Sequence, residues 1–519
     1  MSEAVERIVV VGGGSAGWLA AGVIAAGHQS GAPGAAQVTV VESPDVRTIG
    51  VGEGTWPSMR DTLRRIGVSE TEFIRDCDAS FKQGSKFVGW VTGGNDDQYF
   101  HPFALPQGYT EADLVAQWQA GHADIPFADL VSYQPHLCRL GRAPKQIATP
   151  EFAAVANYAY HLDAGKFGEF LREHCTTRLG VRHVVDHVTG IVPSDSGDIA
   201  ALETKRHGRI EGDLFVDCTG FASLLLGGHY QVPFVSRQDV LFNDSALAVQ
   251  VPYADEHSPI ESQTIGTAQD CGWIWDIGLP TRRGIGHVYS SAHTTDEQAE
   301  QSLRRYVAAT AGAAAAAAMS PRKLGFRPGH RAEFWHRNCV AVGIAAGFIE
   351  PLEASALALI ELSAAMISDQ LPATRGEMDL VARRFNESFA YRWERIVDFL
   401  KLHYVLTCRR GSDYWRDNCE PATIPERLRE LLVYWRHHPP SRYDLPRVDE
   451  IFPSASYQYV LYGMGFRPQS SVCARLPGDA ERAEGFFRES AALTRRLLAG
   501  LPENRVLLEQ IGRHGMQRI

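Results

Sequence analysis

No two of the chain's nine cysteines are spaced as Cys-x-x-Cys, and their number is odd, which speaks against a disulfide framework and against a zinc site. Reduced, mostly buried thiols are expected. Among 19 histidines, His437-His438 included, there is no His-Glu-x-x-His or similar ligand spacing, so no metal is expected. Apolar runs long enough to cross a bilayer are lacking, and the N-terminal one is cut by Gly12 after a few residues. A soluble, cytoplasmic protein with no membrane partner is the expectation. Positive charge is also in deficit: a net charge of -10 argues against nucleic acids and anionic membranes as partners, since both need a basic face. With 519 residues the chain is long for one hydrophobic core, and two packed domains are expected.

What is present begins at once. Ile8-Val9-Val10-Val11 is a β-branched run that stops in Gly12-Gly13-Gly14-Ser15-Ala16-Gly17 and continues as helix. Gly12 allows the tight turn, Gly14 has no Cβ to obstruct a pyrophosphate, and Gly17 lets the helix pack closely on the sheet. The helix N-terminus then offers unpaired N–H groups and a positive dipole end to phosphates. A second run, Val38-Thr39-Val40-Val41, ends in Glu42, about 25 residues on, where a carboxylate accepts hydrogen bonds from an adenosine ribose.

Two later segments, Asp213 to Gly220 and Asn338 to Gly343, repeat the strand-to-glycine pattern. Three such turns far apart in sequence suggest one nucleotide domain assembled from discontinuous pieces, the habit of large FAD-dependent enzymes. We therefore expect an α/β fold: a discontinuous FAD-binding, Rossmann-like domain with a β-rich insert over 1–375, and a mainly helical substrate-side subdomain over 376–519. The apolar spacing predicts helices over 377–406 and 483–498, with Gly485 a weak point, and a helix end or connector in the alanine-rich stretch 311–319. Trp273 and Trp275 straddle Ile274 on a predicted strand and so face the same way.

Several short segments together resemble the flavin-dependent tryptophan halogenases: GGGSAGW (12–18), GVGEGTWP (50–57), SFKQG (80–84), GWIWDIGL (272–279), GFIEPLEASAL (347–357) and RIVDFLKLHY (395–404). The resemblance implies the fold of the flavin monooxygenases and halogenases. It implies FAD used as FADH2, delivered by a separate NAD(P)H-dependent flavin reductase, with dioxygen and chloride or bromide as co-substrates. Hypohalous acid forms and travels through an internal tunnel to a small electron-rich aromatic such as indole or tryptophan. A homodimer is one assembly left open.

By the same resemblance, Lys82 and Glu353 are catalytic. The Lys82 ammonium hydrogen-bonds hypohalous acid, or its neutral amine captures the halogen as a haloamine; both stay open. Glu353 stabilises the cationic ring intermediate and takes its proton. FAD is held by Gly12, Gly14, Ser15, Ala16, Gly17, Glu42, Glu53, Val188, Ile344 and Leu357, halide by the backbone N–H groups of Ser355 and Ala356, and the arene between His101 and Phe103. Trp273 and Trp275 form the motif beside the flavin, or serve only packing. Taken alone, Lys82 reads as a snorkelling surface lysine and Glu353 as a helix-start carboxylate.

Three departures from the family pattern matter. Gly278 stands where proline usually closes the Trp-x-Trp-x-Ile element, and Glu353-Ala354-Ser355-Ala356 replaces Glu-Ser-Thr-Gly. If that glycine needs a positive φ, Ala356 is strained or the turn altered. The tyrosine pair and acid that grip free tryptophan have no counterpart in Tyr457-Gln458-Tyr459-Val460-Leu461-Tyr462, so plain indole or a derivative stays open as substrate. An aromatic flavin monooxygenase and a flavin-binding protein without chemistry are the alternatives.

Overall fold

The computed structural model describes residues 4–30, 32, 34–46, 52–94, 96–469 and 478–518; Gly50, Val51 and Cys473 lie outside these. The chain forms two compact units, each gathered from three segments: 1–79, 162–237 and 327–393 in the first, 80–161, 238–326 and 394–519 in the second. A long helix, Arg375–Val405, starts at position 375.

The first unit is centred on a six-stranded sheet in the order Trp335–His336, Cys339–Ala341, Leu214–Asp217, Arg7–Val11, Gln37–Glu42, Arg182–Val185. Its pairs are parallel except the first, with Ile8 beside Leu214 on one side and Val38 on the other. A strand covered on both faces reads as a continuous apolar run, and after the exposed Arg7 the residues Ile8, Val9, Val10 and Val11 are all buried. The three widely separated strand-to-glycine segments are thus the sheet's adjacent central strands. Helices Ser15–His28, Ala164–Arg178 and Ser355–Asp369 pack with one another beside it.

The second unit holds a seven-stranded sheet in the order Arg322–Gly325, Ser245–Pro252, Arg282–Tyr289, Trp273–Gly278, Thr264–Ala268, Gly84–Val88, Gln98–Pro102. Only the Thr264–Ala268 and Gly84–Val88 pair is parallel. Helix Asp296–Ala311, started by a Thr295–Gln298 capping box, buries Ala299, Leu303 and Val307 against Leu247, Ile274 and Ile285 of this sheet. The alanine stretch is a second short helix, Ala313–Ala318, whose Ala316 joins that core. Beyond residue 405 the unit is helical, with Ser454–Gly463, Gly478–Gly500 and Asn504–His514 its principal helices.

Of the eight described cysteines, all free thiols, Cys77, Cys138, Cys175 and Cys339 are buried, Cys218, Cys271 and Cys419 half-buried and Cys408 exposed. Burial pushes the Cys138 and Cys175 thiols up to about 12, which makes them inert. No described helix is long and apolar enough to cross a membrane.

Candidate active site

In the first unit the site begins where strand Arg7–Val11 ends. Gly12 takes φ +115°, and a Cβ there would lie 2.3 Å from the Cys218 carbonyl oxygen. At Gly17 a Cβ would come 1.9 Å from the carbonyl oxygen of Gly12, so the helix can start this close to the turn only on glycine. Around Gly14 the space is open to 4 Å, and its extended backbone caps helix Ser15–His28 without a side-chain hydrogen bond. The first N–H groups of that helix are therefore donors to whatever lies in front of them. Glu42 leans over the turn, since a Cβ on Gly13 would meet its carboxyl carbon at 2.1 Å. Its other contact is His183 Nε2, 2.8 Å from Oε2. Val188 starts the strand just beyond, where the Asp186 N–H donates to the Glu42 carbonyl at 2.9 Å.

A second cluster forms around helix Ser355–Asp369. Gly343, at φ +70°, ends strand Cys339–Ala341, and a Cβ there would lie 2.9 Å from the Ala16 methyl, so this turn abuts the phosphate-side helix. Ile344, Ser355 and Ala356 share the lining of a mainly apolar cavity of about 50 Å³ with Phe348, Ile349 and Trp393. Ser355 and Ala356 are the helix's first two residues, Ser355 buried and Ala356 exposed, while Leu357 behind them is buried.

The strain expected at Ala356 falls elsewhere. Glu353 (φ 65°, ψ 10°) and Ala354 (φ 54°, ψ 40°) are the left-handed residues, back to back, and Ala356 is helical. Each such non-glycine position costs about 1–3 kcal/mol and persists only where surrounding contacts enforce it. One is visible: Trp56 Nε1 donates to the Glu353 carbonyl at 2.7 Å. Glu353 is buried (5% exposed) and precedes the helix's N-cap residue, Ala354, so it is not a first-turn carboxylate. Two further acids stand near these segments. Burial, then the charge of Asp163, raises the Glu53 carboxyl to about 7. Burial raises Glu361 to about 8, although Thr62 Oγ1 (2.6 Å) and Ser58 Oγ (3.4 Å) donate to it.

In the second unit Lys82 ends strand Ser80–Lys82 and is 1% exposed, which rules out the snorkelling surface role. Its Nζ lies 5.3 Å from the ring centroid of Phe103. Phe103 follows strand Gln98–Pro102, and its N–H donates to the Gln83 carbonyl at 3.4 Å, which ties the two segments together beside Lys82. His101, two residues earlier, is buried with Nε2 2.8 Å from Ser456 Oγ and its ring 5.6 Å from that of Phe399. Trp273 and Trp275 project from the same face of their strand with ring centroids 6.5 Å apart. The Trp275 ring covers Gly286, where a Cβ would lie 2.1 Å from it. Packing therefore already accounts for its position. Sequence reasoning missed Trp56, Glu361 and a buried imidazole, His161, which lies on the strand paired with Ser80–Lys82.

Against known proteins, the family model for tryptophan halogenases matches residues 7–476. The chain is 33% identical to tryptophan 6-halogenase SttH of Streptomyces toxytricini over 94% of this chain and 95% of that one. In structure it is similar to a tryptophan halogenase from Shewanella frigidimarina (TM-score 0.96, 50% identity, 100% and 99% of the two chains). It is likewise similar to a flavin-dependent halogenase from Xanthomonas campestris, Xcc4156 (TM-score 0.87, 31% identity, 100% and 99%). A doubly flanked parallel sheet opening on a glycine turn, joined to a helical C-terminal region, is the fold these relatives share, and the chain belongs to the tryptophan halogenase family as a flavin-dependent halogenase.

Proposed function

We propose that the chain halogenates an indole-like arene with chloride or bromide, using reduced FAD from a separate reductase. The residues fit the cofactor: the glycine turn leaves room at Gly14 that a bulkier side chain would fill, and Glu42 leans over it. Bound FADH2 would supply the two electrons that take dioxygen to the oxidation level of peroxide, and that oxidant would remove two electrons from halide to give hypohalous acid and water.

Each group of the chain then has one task. The Gly12–Gly17 turn holds the pyrophosphate on backbone N–H groups, with Ser15 and Ala16 at the helix start, and Glu42 accepts from the ribose. Glu53, Val188, Ile344 and Leu357 complete the flavin contacts. The N–H groups of Ser355 and Ala356 are main-chain donors at a helix start, which suits an anion whatever their side chains, so halide use survives the loss of the usual glycine. Lys82 carries the halogen to the ring, as hydrogen-bond donor or haloamine; Glu353 balances the ring's positive charge and removes its proton; His101 and Phe103 hold the ring flat. By function, 1–375 is the flavin-binding part and 376–519 the substrate side.

Tyr457, Tyr459 and Tyr462 are all buried, and the Tyr459 hydroxyl donates to the Ala104 carbonyl. The Tyr459 hydroxyl is thus already engaged, and the tyrosine pair and acid that grip free tryptophan have no counterpart in this segment, which favours indole or a derivative. The observation that carries the reading is the buried Lys82 amine set beside the Phe103 ring; burial alone would not, since Lys145 and Lys401 lie as deep on carbonyl partners. With reductase, NADH, FAD, oxygen and bromide or chloride, the purified protein is expected to give a product heavier than indole by one halogen less one hydrogen. Lys82→Ala is expected to lose this product by more than about 100-fold while binding FADH2 normally. A product heavier by one oxygen would instead mark a monooxygenase, and no product from a broad set of arenes a flavin-binding protein without chemistry.

A further inference from the structure

Strand Ser80–Lys82 pairs antiparallel with Ala159–Leu162, placing Ser80 opposite His161 and Lys82 opposite Ala159. Alternation along a strand puts Ser80 and Lys82 on one face, and their partners His161 and Ala159 share it. His161 is thus the diagonal neighbour of Lys82, at a Cβ separation of about 7 Å that long side chains close, and the small Ala159 leaves the space between them free.

The imidazole is fully buried. Its Nε2 lies 2.8 Å from Thr264 Oγ1, whereas Nδ1 makes no hydrogen bond. The Gly278 carbonyl also faces the ring as an acceptor, and it accepts from Ser80 Oγ at 2.5 Å as well. Helix Asn504–His514 reaches this ribbon through Asn504, whose Nδ2 donates to the Phe81 carbonyl. On the opposite face, where Phe81 points, Lys145 is taken up by the carbonyls of Pro150 and Ala153 and the Tyr158 hydroxyl. Lys82 is the charged group whose field acts on His161: burial first, then that charge, hold the imidazole well below its usual range and therefore neutral.

Resting on the assignment of Lys82 as the halogen carrier, we infer that His161 is its positioning residue: with the Nε2 proton on Thr264, Nδ1 accepts a hydrogen bond from Lys82 Nζ through one water. A neutral acceptor can do this where a carboxylate would bind the amine too tightly to release it to an oxidant. The hydrogen bond fixes the direction of Nζ and favours its protonated form.

The test uses the whole enzyme with its reductase and indole, comparing His161→Leu, His161→Asn and Thr264→Val. His161→Leu is expected to lower kcat about 10- to 100-fold, with KM for indole and FADH2 affinity unchanged, and a soluble hypohalite trap to collect the oxidant that misses Lys82. The alkaline limb of its pH–rate profile is expected at lower pH, because the protonated amine has lost an acceptor. His161→Asn, whose Oδ1 can stand where Nδ1 stood, should restore most of kcat; Thr264→Val, which frees the tautomer, should give a smaller shift of the same limb. An unmoved limb in both His161→Leu and Thr264→Val would overturn the inference and leave His161 as a strut donating to Gly278. If His161→Leu does not fold, the other two variants decide. Full activity of Lys82→Ala would instead overturn the assignment of Lys82, whatever the His161 variants do.

Discussion

In the unit that holds the Gly12–Gly17 turn, missing side chains decide what the backbone can reach; in the unit that holds Lys82, large side chains decide what space is left. In the first, the proposed binding groups are N–H donors at the starts of helices Ser15–His28 and Ser355–Asp369, and a Cβ at Gly17 or Gly12 would run into backbone carbonyls. The second buries the Lys82 amine beside the Phe103 ring, with the buried His161 imidazole on the same face of the ribbon. A backbone site tolerates changes of side-chain chemistry but not of volume, and a side-chain site the reverse. On the proposed roles, Ser355-Ala356 in place of Thr-Gly keeps the main-chain donors of an anion site, whereas any other side chain at position 82 removes the amine.

The largest expected effect breaks the first half of this contrast. Gly17→Val would drive a side chain into the Gly12 carbonyl, which is backbone and cannot swing aside. We expect loss of soluble folded protein, or a destabilisation above about 4 kcal/mol by thermal melting. Gly14→Ala meets nothing within 4 Å and should fold with a melting temperature close to the parent, yet bind FADH2 more weakly, as titration of flavin fluorescence would show. Equal damage from both would mean that the glycines serve the fold alone.

How much of this was readable beforehand follows the same division. The glycine turn is legible because a backbone requirement leaves one residue type able to meet it, and the Trp273–Trp275 pair because strand periodicity is local. Helix Arg375–Val405 was placed within two residues of its ends by apolar spacing. The left-handed Glu353 and Ala354 carry no such mark, since neither is a residue that signals the conformation. His161 was invisible because its meaning comes from a partner strand about 80 residues away. The interleaving of segments 80–161 and 238–326 with the C-terminal region is a matter of non-local contacts too. Glu361 did leave a trace, one acid in the apolar run Leu357-Ala358-Leu359-Ile360, which a search for isolated charges on buried helix faces would catch.

Glu361 gives the next effect in size and sharpens the contrast by asking whether the backbone-built unit also depends on a buried ionisable group. Its folded value of about 8 lies above the usual carboxylate value of 4.5. A group raised on folding stabilises fully below its unfolded value and loses that contribution as pH rises through the folded one. Stability should therefore decline between roughly pH 4.5 and 8, by on the order of 2–4 kcal/mol from this group. Glu361→Gln keeps an oxygen for Thr62 and removes the titration, so its melting temperature should change less than the parent's over that range. Parallel curves would show that the carboxyl is not titrating in the fold.

The smallest expected effect locates the strain at the halide-side helix start. Ala354, at φ 54°, is in a conformation that glycine adopts without the cost of a Cβ, so Ala354→Gly should stabilise by up to about 1 kcal/mol, less what glycine adds to the freedom of the unfolded chain. Ala356 is already helical, and Ala356→Gly should destabilise by up to about 1 kcal/mol. Two glycines placed two residues apart are thus expected to move the melting temperature in opposite directions. The reverse signs would put the left-handed turn at 356, where the family's glycine stands, and with it the orientation of the N–H groups assigned to halide.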